Sequence, residues 1–514
     1  MSLAALSALM LQAYAEVNPL VIKDKLWFDK STGEQFYFKG IAYAPKLEDP
    51  DPKNPDPLAN PEGCERDLKV FKDLGLNAIR VYEVQLGRDH EKCMKLFEDN
   101  GIYVIADLNT PKYSINRESP QYDTQLYSYH VQKAAELAKY PNLAAFVVGN
   151  EVTNEPGNTN ASMYVKTLIR DVKDYLKKAE VSIPVGYATN DDAAIRHQLQ
   201  DYFACGEENE RVDFYGVNLY QWCGSKTDFV SSGYSAVVKN LTDYPAPVIL
   251  TEYGCNINRP RTFDEVGSLY GSDMDEVFSG GFMYAYSEDE KNDYGLVNVK
   301  GNDVEIIDQT EYDTFKEMLG KVKPSGEKLD SYSGKGSIPE CPKVDDIWHS
   351  SEKLLSTPSD AKCSCVLDTL PCLVGASPKG DNDTSFSKAV GEALDFACGE
   401  GACDDISADA EKGEFGEYAT CNMTVKAAVA MSTYYKAQKN NKDACDFDGL
   451  FKVASPSRSD DSECKSMTDP TPGKISTDGK SSSGDANAAA QQFLPWALQL
   501  TIGGFATAAL YLVM

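Results

Sequence analysis

The chain has 514 residues, enough for two or three domains with cores of their own. A hydrophobic share of 42% and an aromatic share of 10% are those of a globular protein. The formal net charge of −29 argues against a nucleic-acid partner, whose phosphates it would repel, and suits a soluble protein with a neutral ligand.

Residues 1–15, MSLAALSALMLQAYA, form an apolar opening that closes on Ala13-Tyr14-Ala15, the small-x-small pattern of signal-peptide cleavage. The alternative is a buried N-terminal helix; the missing basic n-region favours it, and the cleavage pattern favours secretion. From residue 16 to about 330, apolar strands alternate with amphipathic helices. Strands are expected at 36–43, 77–84, 102–108, 143–151, 184–190, 213–220, 246–254 and 280–287. They are short, β-branched or aromatic and strongly apolar, as parallel strands buried on both faces should be. Between them, CERDLKVFKDLG places Leu68, Phe71 and Leu74 on one helical face, and HVQKAAELAKYP and YVKTLIRDVKDYLKKA repeat the pattern. This order predicts an α/β fold, a (β/α)8 TIM barrel. An open doubly wound sheet would need a Gly-rich first turn, and the sequence has neither G-x-G-x-x-G nor a Walker motif.

Residues 331–360 read as a Pro/Gly/Ser connector, and 361–466 as a small cysteine-rich module. Residues 467–492 read as a flexible low-complexity tether. The end, 493–514, is an apolar tail with no charge after Asp485, preceded by small residues and a short polar spacer. That is the layout of a GPI signal, with Gly484 or Asn487 as the attachment residue. An ordinary membrane span is the alternative, but cytoplasmic basic residues are missing.

The fourteen cysteines, an even number, fit an oxidising compartment. Cys64, Cys93, Cys205, Cys223, Cys255 and Cys341 are dispersed, and eight more lie between Cys363 and Cys464. A zinc cluster is the competing reading of the eight; only four His exist and none flanks them, so neither a metal nor a cofactor is expected. Sequons at Asn160, Asn240, Asn382 and Asn422 fit secretion.

Chemistry on a barrel belongs at the C-terminal ends of strands. Glu151 ends the fourth strand and Glu252 the seventh, strands expected to face each other across the ring. Two carboxylates meeting in a cleft are what glycoside cleavage requires, one a general acid and the other a nucleophile or base. Asn150 offers an amide beside Glu151. Tyr253 and Tyr284 offer phenols that would hold Glu252 ionised. Tyr43, Tyr82, Tyr220 and Tyr284 end strands one, two, six and eight, and Trp222 follows, as if to stack on pyranose rings; the bland reading of all five is core packing. Glu83 and Asp107 also end strands, so position alone does not single out the pair.

With VVGNEV, GVNLYQWCG, ILTEYG and RVYEV in place beside the eight-cysteine module, the chain resembles the fungal GPI-anchored 1,3-β-glucanosyltransferases of glycoside hydrolase family 72, carrying a mainly helical carbohydrate-binding module of family 43. The resemblance implies Glu151 as acid/base and Glu252 as nucleophile, with Tyr82, Asp107, Asn150, Tyr220 and Tyr284 in the sugar cleft. It implies bridges Cys64–Cys93, Cys205–Cys341 and Cys223–Cys255 around the barrel. In the module it implies Cys363–Cys421, Cys365–Cys464, Cys372–Cys445 and Cys398–Cys403, one of the 105 connectivities that eight cysteines allow. Family members often carry Gln after the Tyr of strand one; here Ala44 stands in its place, so that donor subsite is filled differently or binds more weakly.

The expected reaction is a retaining double displacement on β-1,3-glucan, transferring the new reducing end to another glucan chain. Donor and acceptor glucans and, through the GPI anchor, the outer leaflet of the plasma membrane and the wall are the expected partners of a monomer. A plain endo-1,3-β-glucanase and a non-catalytic wall-glucan binder are the alternatives.

Overall fold

The computed structural model describes residues 17–45, 55–288, 293–377 and 384–476. The proposed signal peptide, Asn382 and the proposed anchor with Gly484 and Asn487 lie outside the described residues.

Eight parallel strands close into one barrel: β1 (Phe38–Ala42), β2 (Ala78–Val81), β3 (Tyr103–Asp107), β4 (Leu143–Asn150), β5 (Val185–Thr189), β6 (Phe214–Leu219), β7 (Val248–Tyr253) and β8 (Phe278–Met283), with β8 hydrogen-bonded to β1. All eight expected strands form. In the ring, β4 and β7 stand three places apart rather than directly opposite. Only Lys39 and Asn150 in these strands escape full burial, which is why the strands read as continuous apolar runs. The last strand begins and ends earlier than its apolar run suggests. It starts at Phe278, and within it Gly280 adopts φ +83, where a Cβ would lie 2.3 Å from the Phe38 carbonyl oxygen and block the pairing with β1. Between β6 and β7 the register slips at Thr251, so Asn218 stands opposite Glu252, and Thr251 Oγ1 donates to Asn218 Oδ1 at 2.8 Å. Such irregularities re-aim side chains beside functional sites.

The chain divides into two compact units. The first holds the described residues up to Asp107 together with Tyr140–Val147 and Asp213–Ser337. In it, an N-terminal antiparallel hairpin, Leu20–Lys23 with Leu26–Asp29, buries Trp27 edge-on against Phe38 and Phe214. Helix α1 (Pro61–Leu74) starts under an Asn60 cap, buries Leu68, Phe71 and Leu74 as the spacing predicts, and stops at Gly75 in the left-handed region.

The second unit holds Leu108–Lys139, Val148–Val212 and the residues from Ile338 onward. Its barrel helices include α2 (Thr124–Leu137) and α3 (Ala161–Lys178). Residues 338–357 form no helix or strand, yet they are a strap rather than a loose connector. Trp348 is buried with its ring tilted against Tyr202, Ser350 Oγ donates to the Thr159 carbonyl and accepts from Met163 N, and Arg170 donates to the Leu355 carbonyl. The module packs α4 (Asp360–Leu367), α5 (Thr384–Gly399) and α6 (Met423–Ala437) with an antiparallel pair, Cys372–Val374 with Phe451–Val453, and one short hairpin, Ala408–Asp409 with Glu414–Phe415. Ala393, Ala397, Ala427 and Ala430 in its core let helices approach closely. Residues 467–476, read as the start of a free tether, are tied down. Asp469 accepts from Asp360 N and Ala361 N at the start of α4, and Ile475 N donates to the Ala179 carbonyl. A carboxylate at a helix N-terminus satisfies otherwise orphaned N–H groups, which is why this polar stretch stays docked.

Seven disulfides join Cys64–Cys93, Cys205–Cys341, Cys223–Cys255, Cys363–Cys421, Cys365–Cys464, Cys372–Cys445 and Cys398–Cys403. Among the described residues no helix is long and apolar enough to cross a membrane, and no cluster of His, Cys, Asp and Glu could hold a metal ion.

His130 on α2 is fully buried, and its Nδ1–H donates to the Leu126 carbonyl at 2.8 Å. Burial, with Lys133 nearby, pushes its pKa down from 6.5 to about 4. The folded state therefore binds fewer protons than the unfolded chain between those values. Stability is fully present above pH 6.5 and falls as pH drops toward 4, by roughly 2–3 kcal/mol for this group. Urea midpoints at pH 4, 5 and 6.5 are expected to show this slope in the wild type and a flatter one in His130→Gln.

Candidate active site

Glu252, one residue from the end of β7, is gripped from three directions within the first unit. Tyr82, just past β2, donates to its Oε1 at 2.9 Å; Tyr220, just past β6, donates to Oε2 at 2.7 Å; Arg80 Nη1 reaches Oε1 at 3.2 Å. The guanidinium is itself fully buried and bound edge-on by Asp107 at the end of β3, through Nε–Oδ1 at 3.0 Å and Nη2–Oδ2 at 2.9 Å. Its face covers the Tyr82 ring at 4.5 Å. Burial works against the Arg80 charge, but Asp107, the Tyr82 phenol and Glu252 together hold its pKa above the ordinary value. Burial and then the Glu252 charge push both Tyr82 and Tyr220 well above the usual phenol range, so both stay protonated and donate. A carboxylate bonded by two phenols and a guanidinium is fixed in orientation by charge-assisted hydrogen bonds.

A wall of half-buried aromatic rings adjoins it. Tyr284, just past β8, lies edge-on to Tyr82 at 6.4 Å, to Tyr220 at 6.3 Å and to Tyr294 at 5.3 Å. Their mixed apolar faces and hydroxyl edges suit a sugar, which presents both C–H faces and hydroxyls.

Glu151 belongs to the second unit, where its own backbone is unusual. It follows β4 with φ +49, a left-handed conformation uncommon for a residue other than glycine. Two bonds hold it there: its N–H donates to the Ala188 carbonyl at 2.8 Å, and its carbonyl accepts from Arg117 Nη2 at 2.6 Å. The following loop is braced by Asn158, whose side chain bonds Asn154, and by Asn190 Nδ2 donating to the Asn154 carbonyl.

The glucanosyltransferase family, glycoside hydrolase family 72, matches residues 9–323, and the X8 domain matches residues 381–452. The chain belongs to the 1,3-β-glucanosyltransferases of family 72. It is 39% identical over 496 residues to the 1,3-beta-glucanosyltransferase of Arthroderma benhamiae, covering 91% of this chain and 89% of that protein. To 1,3-beta-glucanosyltransferase gas1 of Schizosaccharomyces pombe it is 36% identical, covering 88% and 82%. The crystal structure of Saccharomyces cerevisiae Gas2p in complex with laminaritriose and laminaritetraose superposes with a TM-score of 0.77 at 38% identity, covering 85% of this chain and 97% of that one. The family is extracellular and disulfide-rich, in keeping with the seven bridges.

In this glucanosyltransferase not every expected site residue reaches a cleft. Tyr43 is a core residue: its ring packs on Phe71 and Tyr286 and its hydroxyl donates to buried Asp67 at 2.8 Å. Trp222 is buried edge-on to Tyr234. Tyr253 is fully buried beside Tyr270, because alternation along β7 turns it away from Glu252; the phenols on that carboxylate come from Tyr82 and Tyr220 instead. Asp107 is fully buried and paired with Arg80. Asn150 is half-buried and Ala44 is exposed. Arg80, Arg117 and Tyr294 went unread in the sequence. A charged residue inside the apolar run NAIRV was the available signal for Arg80, since a buried arginine must have partners.

Tyr220→Phe removes one donor to Glu252 and little volume. We expect kcat to fall about 10- to 100-fold with KM nearly constant. The acidic limb of the kcat profile should move to higher pH, because the charged carboxylate loses a hydrogen bond. Steady-state kinetics on a laminari-oligosaccharide between pH 3 and 8 check both.

Proposed function

We propose that Glu252 is the nucleophile and Glu151 the acid/base of a retaining double displacement on β-1,3-glucan. Glu252 attacks the anomeric carbon of an internal glucose while Glu151 protonates the departing oxygen. The reducing-end fragment leaves, and a covalent glucosyl-enzyme remains. Glu151, now a base, takes the proton from the 3-hydroxyl at the non-reducing end of a second glucan, which displaces Glu252 and yields a longer chain. This chemistry requires the two carboxyls to stand about 5–5.5 Å apart. Tyr82, Tyr220, Tyr284 and Asn150 serve the sugars, and Arg80 with Asp107 keeps the nucleophile aligned. The observation that carries the reading is the grip of Arg80, Tyr82 and Tyr220 on Glu252.

In this reading the enzyme is secreted through residues 1–15 and held at the outer leaflet by a GPI anchor added at Gly484 or Asn487, where it elongates wall glucan. The product ladder tests it. Incubation with a single laminari-oligosaccharide should give products both longer and shorter than the input. Shorter products alone mean a hydrolase, and an unchanged ladder means a binder; either defeats the proposal.

A further inference from the structure

The second unit contains a cavity of about 570 Å³, within the range of about 300–1,000 Å³ that small-ligand pockets occupy. Gly157 and Asn160 line it from the loop that leads into α3, His349 from the strap, and Asp409, Glu411 and Lys412 from a hairpin of the module. No Phe, Tyr or Trp is among its lining residues, so it lacks the broad flat face on which a glucan chain stacks. Its charged and polar groups suit a different occupant, one dense in amide and hydroxyl groups.

Asn160 opens the sequon Asn160-Ala161-Ser162 and stands at the N-terminal boundary of α3. Asparagine is a favoured capping residue there, and Asn60 and Asn422 do cap α1 and α6. The Asn160 side chain makes no capping bond; it lines the cavity instead. The cavity is also where three distant segments are sewn together. Thr159 Oγ1 accepts from His349 N at 2.9 Å, the Thr159 carbonyl accepts from Ser350 Oγ at 2.7 Å, and Ser351 N donates to the Ala410 carbonyl at 2.8 Å.

We propose that Asn160 carries an N-linked glycan whose first N-acetylglucosamine occupies this cavity and clasps the 407–414 hairpin and the strap to the start of α3. The donor is a lipid diphosphate-linked oligosaccharide of the secretory lumen. Asn160 Nδ2 bonds the anomeric carbon and loses a proton, and the carbon–oxygen bond to the diphosphate breaks with its electron pair leaving on the diphosphate. Transfer to the nascent chain precedes folding, so the burial of Ser162, bonded to Thr153 at 2.8 Å, is no obstacle. Asp409 already accepts from Lys412 at 2.7 Å and Glu411 lies 3.7 Å from His349, and both carboxylates keep acceptor capacity for the sugar hydroxyls and acetamido N–H. Lys412 and His349 supply donors.

The full chain, secreted from a eukaryotic host, gives the test. Peptide mapping by mass spectrometry should find Asn160 glycosylated. Native treatment with peptide N-glycosidase should release this glycan at least about tenfold more slowly than after denaturation, because release needs local opening. In Asn160→Gln, trypsin should cut after Lys412 at least about fivefold faster than in the wild type. An unmodified Asn160 in the folded secreted enzyme overturns the proposal, as does native release at the denatured rate. Both readouts use the wild-type chain, so they stand even when the variant fails to fold.

Discussion

Glu252→Gln is expected to lower kcat for glucan transfer by a factor on the order of 10⁴ or more, the scale of losing a covalent nucleophile. The substitution keeps size and planarity. It loses the charge, and it turns an NH₂ group toward donors, since Tyr82 and Arg80 face one oxygen and Tyr220 the other. Glu151→Gln separates the two roles. As general acid it contributes about 10²–10⁴-fold, so glucan cleavage should fall by that factor. An aryl β-glucoside with a good leaving group needs no protonation, so its first step should survive and its glucosyl-enzyme accumulate. In Glu151→Ala, azide should resume turnover and give a product of retained configuration. Burst kinetics and intact-mass detection of the trapped enzyme decide the matter. Loss of aryl-glucoside bursts in both variants, or bursts in Glu252→Gln, would show that the roles are wrongly assigned.

The barrel was legible because buried parallel strands leave long apolar runs, and eight of them with interleaved helices admit few folds. The strand ends were less so. GGFMYAYS stays apolar well past Met283, where pairing stops, and no periodicity marks that point. The same blindness misplaced Tyr43. Like Tyr82 it ends a strand, but which side of a pleat a terminal residue takes depends on register, which apolar content alone does not give. That the 331–360 connector is docked was not legible for a different reason. Trp348 and Leu355 are its buried anchors, too sparse among Pro, Gly and charge to form a pattern, and they are held through backbone carbonyls that any sequence offers. Glu151 and Glu252 end buried apolar runs, but so do Glu83 and Asp107, and it is the motifs VVGNEV and ILTEYG that single out the pair. Their supports did not stand out, for Arg80 and Arg117 are chosen by partners distant in sequence.

Asp107→Asn is expected to cost about 3–5 kcal/mol, the penalty for taking from a buried guanidinium its bidentate counter-charge and leaving it the longer contact to Glu252 Oε1. Asp107 and Arg80 are both fully shielded from solvent, and each carboxylate oxygen accepts one guanidinium N–H. Asparagine fills the space but points one NH₂ at a donor, so Arg80 must shift or draw closer to Glu252. Tm should therefore drop by roughly 5–10 °C at a fixed scan rate. Lower stability alone would not prove that the pair serves catalysis, and a second variant distinguishes the two roles. Arg80→Met with Asp107→Leu replaces the ion pair by apolar groups of similar length. Buried pairs exchanged in this way often lose little, so stability should return to within about 2 kcal/mol of the wild type. Activity should not return with it, because Glu252 would keep its phenols but lose its cation. A stable double variant whose kcat recovers to within tenfold of wild type would reduce Arg80 and Asp107 to scaffolding. A stable variant with kcat still down about 10²-fold or more would assign them the task of holding the nucleophile charged and aligned.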